Sequence, residues 1–376
     1  MLKDLFKNYV YPIAVFSGGI IGVGFLSLPY IAMKAGIWIV LFYFIFLAGI
    51  VILLNRIFSE ISLKTPDFKR FPGFAKHYFG KWGGLIALIC TIISSVGVLL
   101  VYLLVGGKFL SDIFSPLIGG NQSLYTLFYF FAGSIIIFLG IKLIARAEVW
   151  ILSFLFLSLL FVFIRGFFNI ELSNIFLVSE DFKISNLFLP YGPILFSLWS
   201  LALIPEIEEM LVGKKKLLKR AVTISVILVS VIYVLFIFLI LGITGASTTP
   251  TALADLGNFL GRGVVSVALF AGFLATFTAF ITQGITLKKV FMYDLRIKHW
   301  QALVITCFTP MILLFIGVNS FIGLLSFLGG ILFGVFGIMV LMMYKKIGGK
   351  NIIVYPLSSV FLLGIIYEIL SFSKII

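Results

Sequence analysis

Residues Ser17-Gly18-Gly19-Ile20-Ile21-Gly22-Val23-Gly24 place four glycines within seven positions, with Pro29 close behind. Each glycine costs a helix interior about 1 kcal/mol relative to alanine. In an apolar segment, such a run either admits a neighbouring helix at close range or lets the backbone unwind. The density of glycine, followed by Pro29, favours unwinding. Unwound backbone offers free amides and carbonyls: the positive end of a half-helix suits an anion, and exposed carbonyls suit a cation. A zwitterion held this way needs no charged side chain, and none stands in the middle of this segment.

A second run has the same character. Leu189-Pro190-Tyr191-Gly192-Pro193 opens it, Ser197, Trp199 and Ser200 follow, and Pro205 precedes Glu206, Glu208 and Glu209. Pro205 removes a backbone donor and crowds the carbonyl of Leu201. Freed backbone inside a membrane is tolerated only beside protein or water. The sequence therefore predicts two interrupted helices.

The elements that must position these runs follow from composition. The chain has 376 residues, 62% hydrophobic and 11% charged, with a mean hydropathy of +1.23. Soluble domains are about 45–50% apolar and about 25% charged. A soluble enzyme, a disordered chain and a disulfide-rich module are excluded, and the chain reads as an all-α polytopic membrane protein. Spans of about 20 apolar residues fall at 9–32, 37–58, 83–107, 124–143, 148–167, 187–212, 221–244, 263–287, 301–318, 320–343 and 352–371. That makes eleven transmembrane helices in one domain, 1–376. The first apolar run is too long for a signal peptide and lacks a small-residue cleavage site.

The net charge of +14 could suggest a nucleic-acid partner in a soluble protein, but here it marks topology. Only Lys34, Lys108, Arg165, Lys183, Arg262 and Lys374, of the 28 lysines and arginines, fall on the outer side if the N-terminus is inside. The positive-inside rule then sets the N-terminus in the cytoplasm and the C-terminus outside, in a cell membrane. No nucleic-acid partner and no obligate protein partner are implied; the lipid bilayer is the surrounding. Cys90 and Cys307 lie in apolar stretches and make no metal or disulfide pattern. His77 and His299 lie between spans. No cofactor is called for, and no metal beyond a sodium ion.

The two interruptions lie roughly 180 residues apart, each at the start of a five-span block, 1–168 and 187–345, with 352–371 as an extra helix. The blocks enter the membrane from opposite sides. Interrupted helices at matching positions of inverted halves point to a secondary-transporter binding site.

The stretch Ile21-Gly22-Val23-Gly24-Phe25-Leu26-Ser27-Leu28-Pro29-Tyr30, followed by Ala32-Met33-Lys34-Ala35-Gly36, resembles the first-helix signature of amino-acid permeases. It is similar, more narrowly, to the amino acid/auxin permease group and its bacterial aromatic-amino-acid relatives. Ile204-Pro205-Glu206-Ile207-Glu208-Glu209-Met210 resembles the end of their sixth helix. Phe71-Pro72-Gly73-Phe74-Ala75, with Phe79-Gly80, resembles their loop before helix three. The resemblance implies a LeuT-type 5+5 inverted repeat plus one helix, broken at helices 1 and 6. It also implies a small-molecule amino-acid substrate, neutral or aromatic, carried by symport with Na+ or H+.

By the same resemblance, the substrate carboxylate meets the amides of Val23 and Gly24, at the break that Gly22 opens. The amino group meets carbonyls around Ser17, Gly18, Gly19 and Ile20, and around Phe196, Ser197, Trp199 and Ser200. The sixth-helix run carries no glycine, and Gly18 stands where sodium-coupled relatives often carry asparagine. On span three, Thr91, Ser95, Val98 and Tyr102 share one face, and relatives use a serine or tyrosine there. The alternative for each hydroxyl is a bond back to its own helix. Thr276 or Thr278, with carbonyls of Gly18 and Ile21, would hold sodium, since hydroxyls and carbonyls are hard donors. The two threonines stand about 200° apart on a helix, so only one can face a given site.

Proton coupling needs a titratable group in the pathway. Glu206, Glu208 and Glu209 are the nearest carboxylates, with pairing to Lys214–Lys216 as the plainer reading. Glu148 and Glu368 fall near span ends and read as interfacial. The run Lys214–Arg220 reads as a topology signal near anionic lipid. A non-transporting sensor of the same fold is the alternative function. An intramembrane enzyme finds no support, because HExxH, GxSxG and a mid-membrane carboxylate pair are all absent.

Overall fold

The computed structural model describes residues 9–66, 70–140, 144–176, 184–211, 215–253 and 256–373. Helices dominate them, and no strand occurs among them. In chain order the principal helices are α1 (Tyr11–Ile20), α2 (Leu28–Ala35), α3 (Ile37–Lys64), α4 (Phe71–Ile118) and α5 (Gln122–Leu139). They continue with α6 (Ile144–Gly166), α7 (Tyr191–Leu198), α8 (Ile204–Met210), α9 (Lys215–Thr244) and α10 (Arg262–Tyr293). The last four are α11 (His299–Phe315), α12 (Phe321–Ser326), α13 (Phe333–Lys346) and α14 (Asn351–Phe372).

Seven helices among the described residues are long and apolar enough to cross a membrane, or eight if the bent pair Tyr11–Ile20 and Val23–Ala35 is one span. The remaining expected spans are built from shorter pieces, among them Ser153–Asn169 and His299–Phe315. Large apolar side chains cover the outside: Trp38, Ile45, Trp82 and Phe168 are mostly exposed. Only lipid makes such a surface favourable, so the chain is a multi-pass membrane protein.

The glycine-rich run behaves as its composition requires. α1 stops at Ile20, Ile21 and Gly22 are extended (φ −75°, ψ 93°; φ −110°, ψ −161°), and a 3-10 turn spans Val23–Ser27. α2 then leaves at 52° to α1. Pro29 lies in the first turn of α2, where its missing N–H has no partner to lose. α4 is two helices joined at Gly80, whose φ of 74° only glycine adopts without strain.

The second interruption lies at Trp199 and Ser200, within the Phe196–Ser200 run, and Pro205 is not its cause. α7 ends at Leu198, Trp199 is extended (φ −69°, ψ 129°), Ser200 is irregular (φ −149°, ψ 8°), and a 3-10 turn covers Leu201–Leu203. Pro205 sits in the opening turn of α8, so it begins a helix and breaks none.

Around these pieces α9 packs against α1, α2 and α3, while α10 packs against α4 and α6. The core therefore surrounds both interruptions. Phe16, Tyr233, Leu198, Ile194 and Leu100 are among its fully buried members.

Candidate functional site

The two breaks touch each other. A Cβ on Gly24 would stand 2.7 Å from both Phe196 Cδ1 and Ser197 Oγ, and one on Gly19 would stand 2.6 Å from Leu203. Glycine at these positions lets the two broken segments meet. At the first break, the amides that open the Val23–Ser27 turn have no carbonyl one turn earlier to bond.

A cavity of about 90 Å³ opens beside the first break, space enough for a few waters or a small polar group. Its wall brings together Gly18, Gly19, Ile21, Gly22 and Val23 with Tyr102 of α4 and Thr276 of α10. Tyr102 Oη lies 3.8 Å from where a Cβ on Gly22 would be. Phe25, Phe109, Leu155 and Leu253 supply apolar wall.

Other expected residues stand elsewhere. Ser17 is buried with its hydroxyl unpartnered, and does not line the cavity. Ser95 is buried on α4 but also outside the wall. Ser197 Oγ donates to the Pro193 carbonyl at 2.8 Å, a bond within its own helix. Phe196 and Trp199 stack on Phe333 of α13, with ring centroids 5.7 and 4.6 Å away and planes within 12° of parallel. They thus face α13.

The threonines of α10 divide as their spacing demands. Thr276 lines the cavity and donates to the Phe273 carbonyl at 2.8 Å. Thr278 donates to the carbonyls of Leu274 and Ala275 and lies outside the wall. Gly18, Ile21 and Thr276 therefore line the same cavity. Among the described residues, no group of three or more His, Cys, Asp or Glu could hold a metal.

Two residues that sequence reasoning passed over bind the breaks together. Asn55 of α3 donates through Nδ2 to Ser200 Oγ at 2.7 Å, and both are buried. Tyr233 of α9 places its hydroxyl 3.3 Å from the carbonyl of Ile20 and 3.3 Å from that of Ser197. It has one proton, so it can satisfy one carbonyl at a time. Its ring stacks on Phe25 at 5.5 Å and 7°. An asparagine inside span two and a tyrosine inside span seven were the available signals.

The carboxylates of α8 do not reach the cavity wall. Glu208 accepts a short hydrogen bond from Ser62, and nearby Glu60 pairs with Lys64 and Lys219 at 3.1 Å each. Lys214 and the side chains of Lys215 and Lys216, the expected partners of the α8 carboxylates, lie outside the described residues, as does the side chain of Glu148. Glu368 departs from its interfacial reading. It stands one turn from the end of α14, yet is 3% exposed, because its side chain turns into the bundle.

The family model described as transmembrane amino acid transporter protein matches residues 9–352. No curated protein matches the chain in sequence. Among solved structures, the chain is similar to MhsT in complex with L-phenylalanine, at 16% identity and a TM-score of 0.65, covering 96% of this chain and 97% of that one. It is similar to Mhp1 in an inward-facing conformation, at 15% identity and a TM-score of 0.64, covering 96% and 88%. A closed Mhp1 with bromovinylhydantoin bound gives 14% identity and a TM-score of 0.62, covering 96% and 90%. These likenesses give the chain the LeuT-type transporter fold.

Proposed function

The chain belongs to the transmembrane amino acid transporter protein family, and from that premise we propose that it moves an amino acid across a cell membrane by alternating access, driven by a cation gradient. The observation that carries this reading is the meeting of two broken helices beside a cavity with no charged side chain in its wall. The substrate carboxylate takes the amides that open the Val23–Ser27 turn, where the half-helix dipole is positive. The amino group takes carbonyls of the Gly18–Ile20 and Ser197–Ser200 ends. The apolar wall of Phe25, Phe109 and Leu155 suits a neutral or aromatic side chain, for which the cavity of about 90 Å³ must widen during the cycle.

In this reading the chain crosses the membrane eleven times, as two inverted five-helix repeats and a final helix, with the N-terminus in the cytoplasm. It works as a carrier and performs no bond chemistry. Gly18, Ile21 and Thr276 form the site a sodium ion would use if sodium were the coupling ion. One positive charge entering across 100 mV contributes about 2.3 kcal/mol to accumulation.

Uptake by proteoliposomes offered a panel of amino acids, under imposed sodium or proton gradients, tests the reading. Saturable, gradient-dependent accumulation of one class is expected. Saturable binding without flux would point to a sensor of the same fold and overturn transport.

A further inference from the structure

Glu368 is the one carboxylate among the described residues that is nearly fully buried, at 3% exposure. Its place is built by glycines. A Cβ on Gly192 of α7 would stand 2.8 Å from Glu368 Oε1, and one on Gly330 would stand 2.9 Å from the same oxygen. Gly330 belongs to a π-helical turn, Phe327–Leu332, between α12 and α13. π turns widen a helix locally and recur at functional sites. One turn before Glu368, Gly364 lies against the Tyr191 ring so closely that any side chain there would collide with it. Three glycines on three helices thus leave room for one carboxyl group and one phenol.

Among the described residues no basic side chain pairs with the carboxyl, and α7, α12 and the π turn carry no basic residue. On α13, Lys345 and Lys346 lie at the far end, over the rings of Tyr355 and Phe79. The titratable groups facing it are phenols: Tyr191 of α7, Tyr43 of α3 beyond it, and Tyr367 on its own helix, whose ring packs on Phe188. Tyr191 Oη is buried and has no hydrogen-bond partner. A carboxylate buried without a counter-charge is strongly disfavoured, so Glu368 sits here as the neutral acid.

The location gives that proton a consequence. Gly192 lies on the first half of the broken sixth helix, and its carbonyl abuts Gly329 of the π turn. The half-helix α7 is bound between α12, the π turn and α14. Leu189 and Phe321, a turn or so from Gly192 and Ser326, line a wide depression of about 860 Å³ open to solvent. Displacing α7 from the π turn would hydrate Glu368 from that depression, and hydration removes the penalty on its charge.

We propose that Glu368 is the proton-binding site of the transport cycle, protonated while α7 is seated against the π turn and released when α7 moves away. This rests on the transport reading above and makes the proton the coupling ion.

Two measurements separate the ideas. In proteoliposomes taking up the accepted amino acid, one coupled proton raises steady-state accumulation up to about tenfold per pH unit of inside-alkaline gradient. Glu368→Gln keeps the shape of the neutral acid, so it should exchange substrate across the bilayer at the wild-type rate yet ignore the gradient. A variant that follows the gradient like the wild type, or a wild type that itself ignores it, overturns the proposal and leaves transport standing. In detergent, ionisation of Glu368 opposes the seated state, so the wild type should lose more melting temperature as pH rises from about 4.5 than Glu368→Gln does. Identical pH profiles overturn the proposal even if no amino acid is ever transported. Failure of both Glu368→Gln and Glu368→Met to fold would leave Glu368 a structural role alone, and would overturn it too.

Discussion

Asn55 Nδ2 donates to Ser200 Oγ at 2.7 Å, tying the middle of α3 to the break in the sixth helix. Ser200 otherwise makes a 3.3 Å bond to the Leu198 carbonyl. The irregular backbone at Ser200 is therefore held by a side chain 145 residues away.

Asn55→Ala should leave that hydroxyl poorly satisfied and cost about 1–2 kcal/mol of stability, as a buried hydrogen bond loses its donor. Uptake should fall by more than stability explains, because the break loses its anchor. A double-mutant cycle with Ser200→Ala should return a coupling of about 1 kcal/mol in thermal unfolding. Strict additivity would show that the two side chains are neighbours without energetic coupling.

Gly22 and Gly24 are two residues apart and should respond differently. A methyl group on Gly24 meets Phe196 and Ser197 at 2.7 Å, whereas one on Gly22 meets only Tyr102 Oη at 3.8 Å. Gly24→Ala must therefore separate the two broken segments, and overpacking of this kind costs about 1–3 kcal/mol. Uptake should be abolished in Gly24→Ala and retained in Gly22→Ala, while Gly22→Leu and Gly24→Leu should both abolish it. Immunoblots of the membrane fraction should show normal insertion for all four.

Tyr233 bridges the two ends that would offer carbonyls to a substrate amino group. Tyr233→Phe keeps the stack on Phe25 and removes only the proton shared between Ile20 and Ser197. The loss of one buried hydrogen bond should cost about 1–1.5 kcal/mol of stability, and substrate half-saturation should weaken as well, because the two ends that offer carbonyls are no longer held together. Equilibrium binding of the transported amino acid reads this directly; unchanged binding with a lowered melting temperature would assign Tyr233 to packing.

The first break was legible because its signal is local: glycines that weaken a helix are visible without knowing what packs on them. The second falls within the Phe196–Ser200 run, but not for the reason Pro205 offered. Pro205 is the conspicuous residue, but proline in a first turn is harmless, and the irregular backbone at Trp199 and Ser200 is stabilised by Asn55 from another helix. In helices apolar on every side, periodicity does not say which face turns inward, so Asn55 and Tyr233 gave only their polarity. For the same reason Phe196 and Trp199 could be placed near the break, but their stacking on Phe333 could not. Glu368 shows the limit most plainly. Its distance from a helix end gives depth in the membrane, and only the glycines of two other helices reveal burial.

Thr276 and Thr278 offer the last test, since their hydroxyls point to different surroundings. Thr276 lines the cavity beside Gly18 and Ile21, while Thr278 is outside its wall and bonded to its own helix. Valine preserves the shape of threonine and deletes the hydroxyl, so Thr276→Val and Thr278→Val compare like with like. Each loses a bond to its own helix, a cost common to both. Only Thr276→Val also removes an oxygen from the cavity wall, and it alone should raise the KM for uptake, by about three- to tenfold for one neutral hydrogen bond. If sodium is required, the same variant should raise the sodium concentration for half-maximal uptake, and Thr278→Val should not. Equal effects of the two substitutions would mean that the cavity beside the first break is not where the transported species bind.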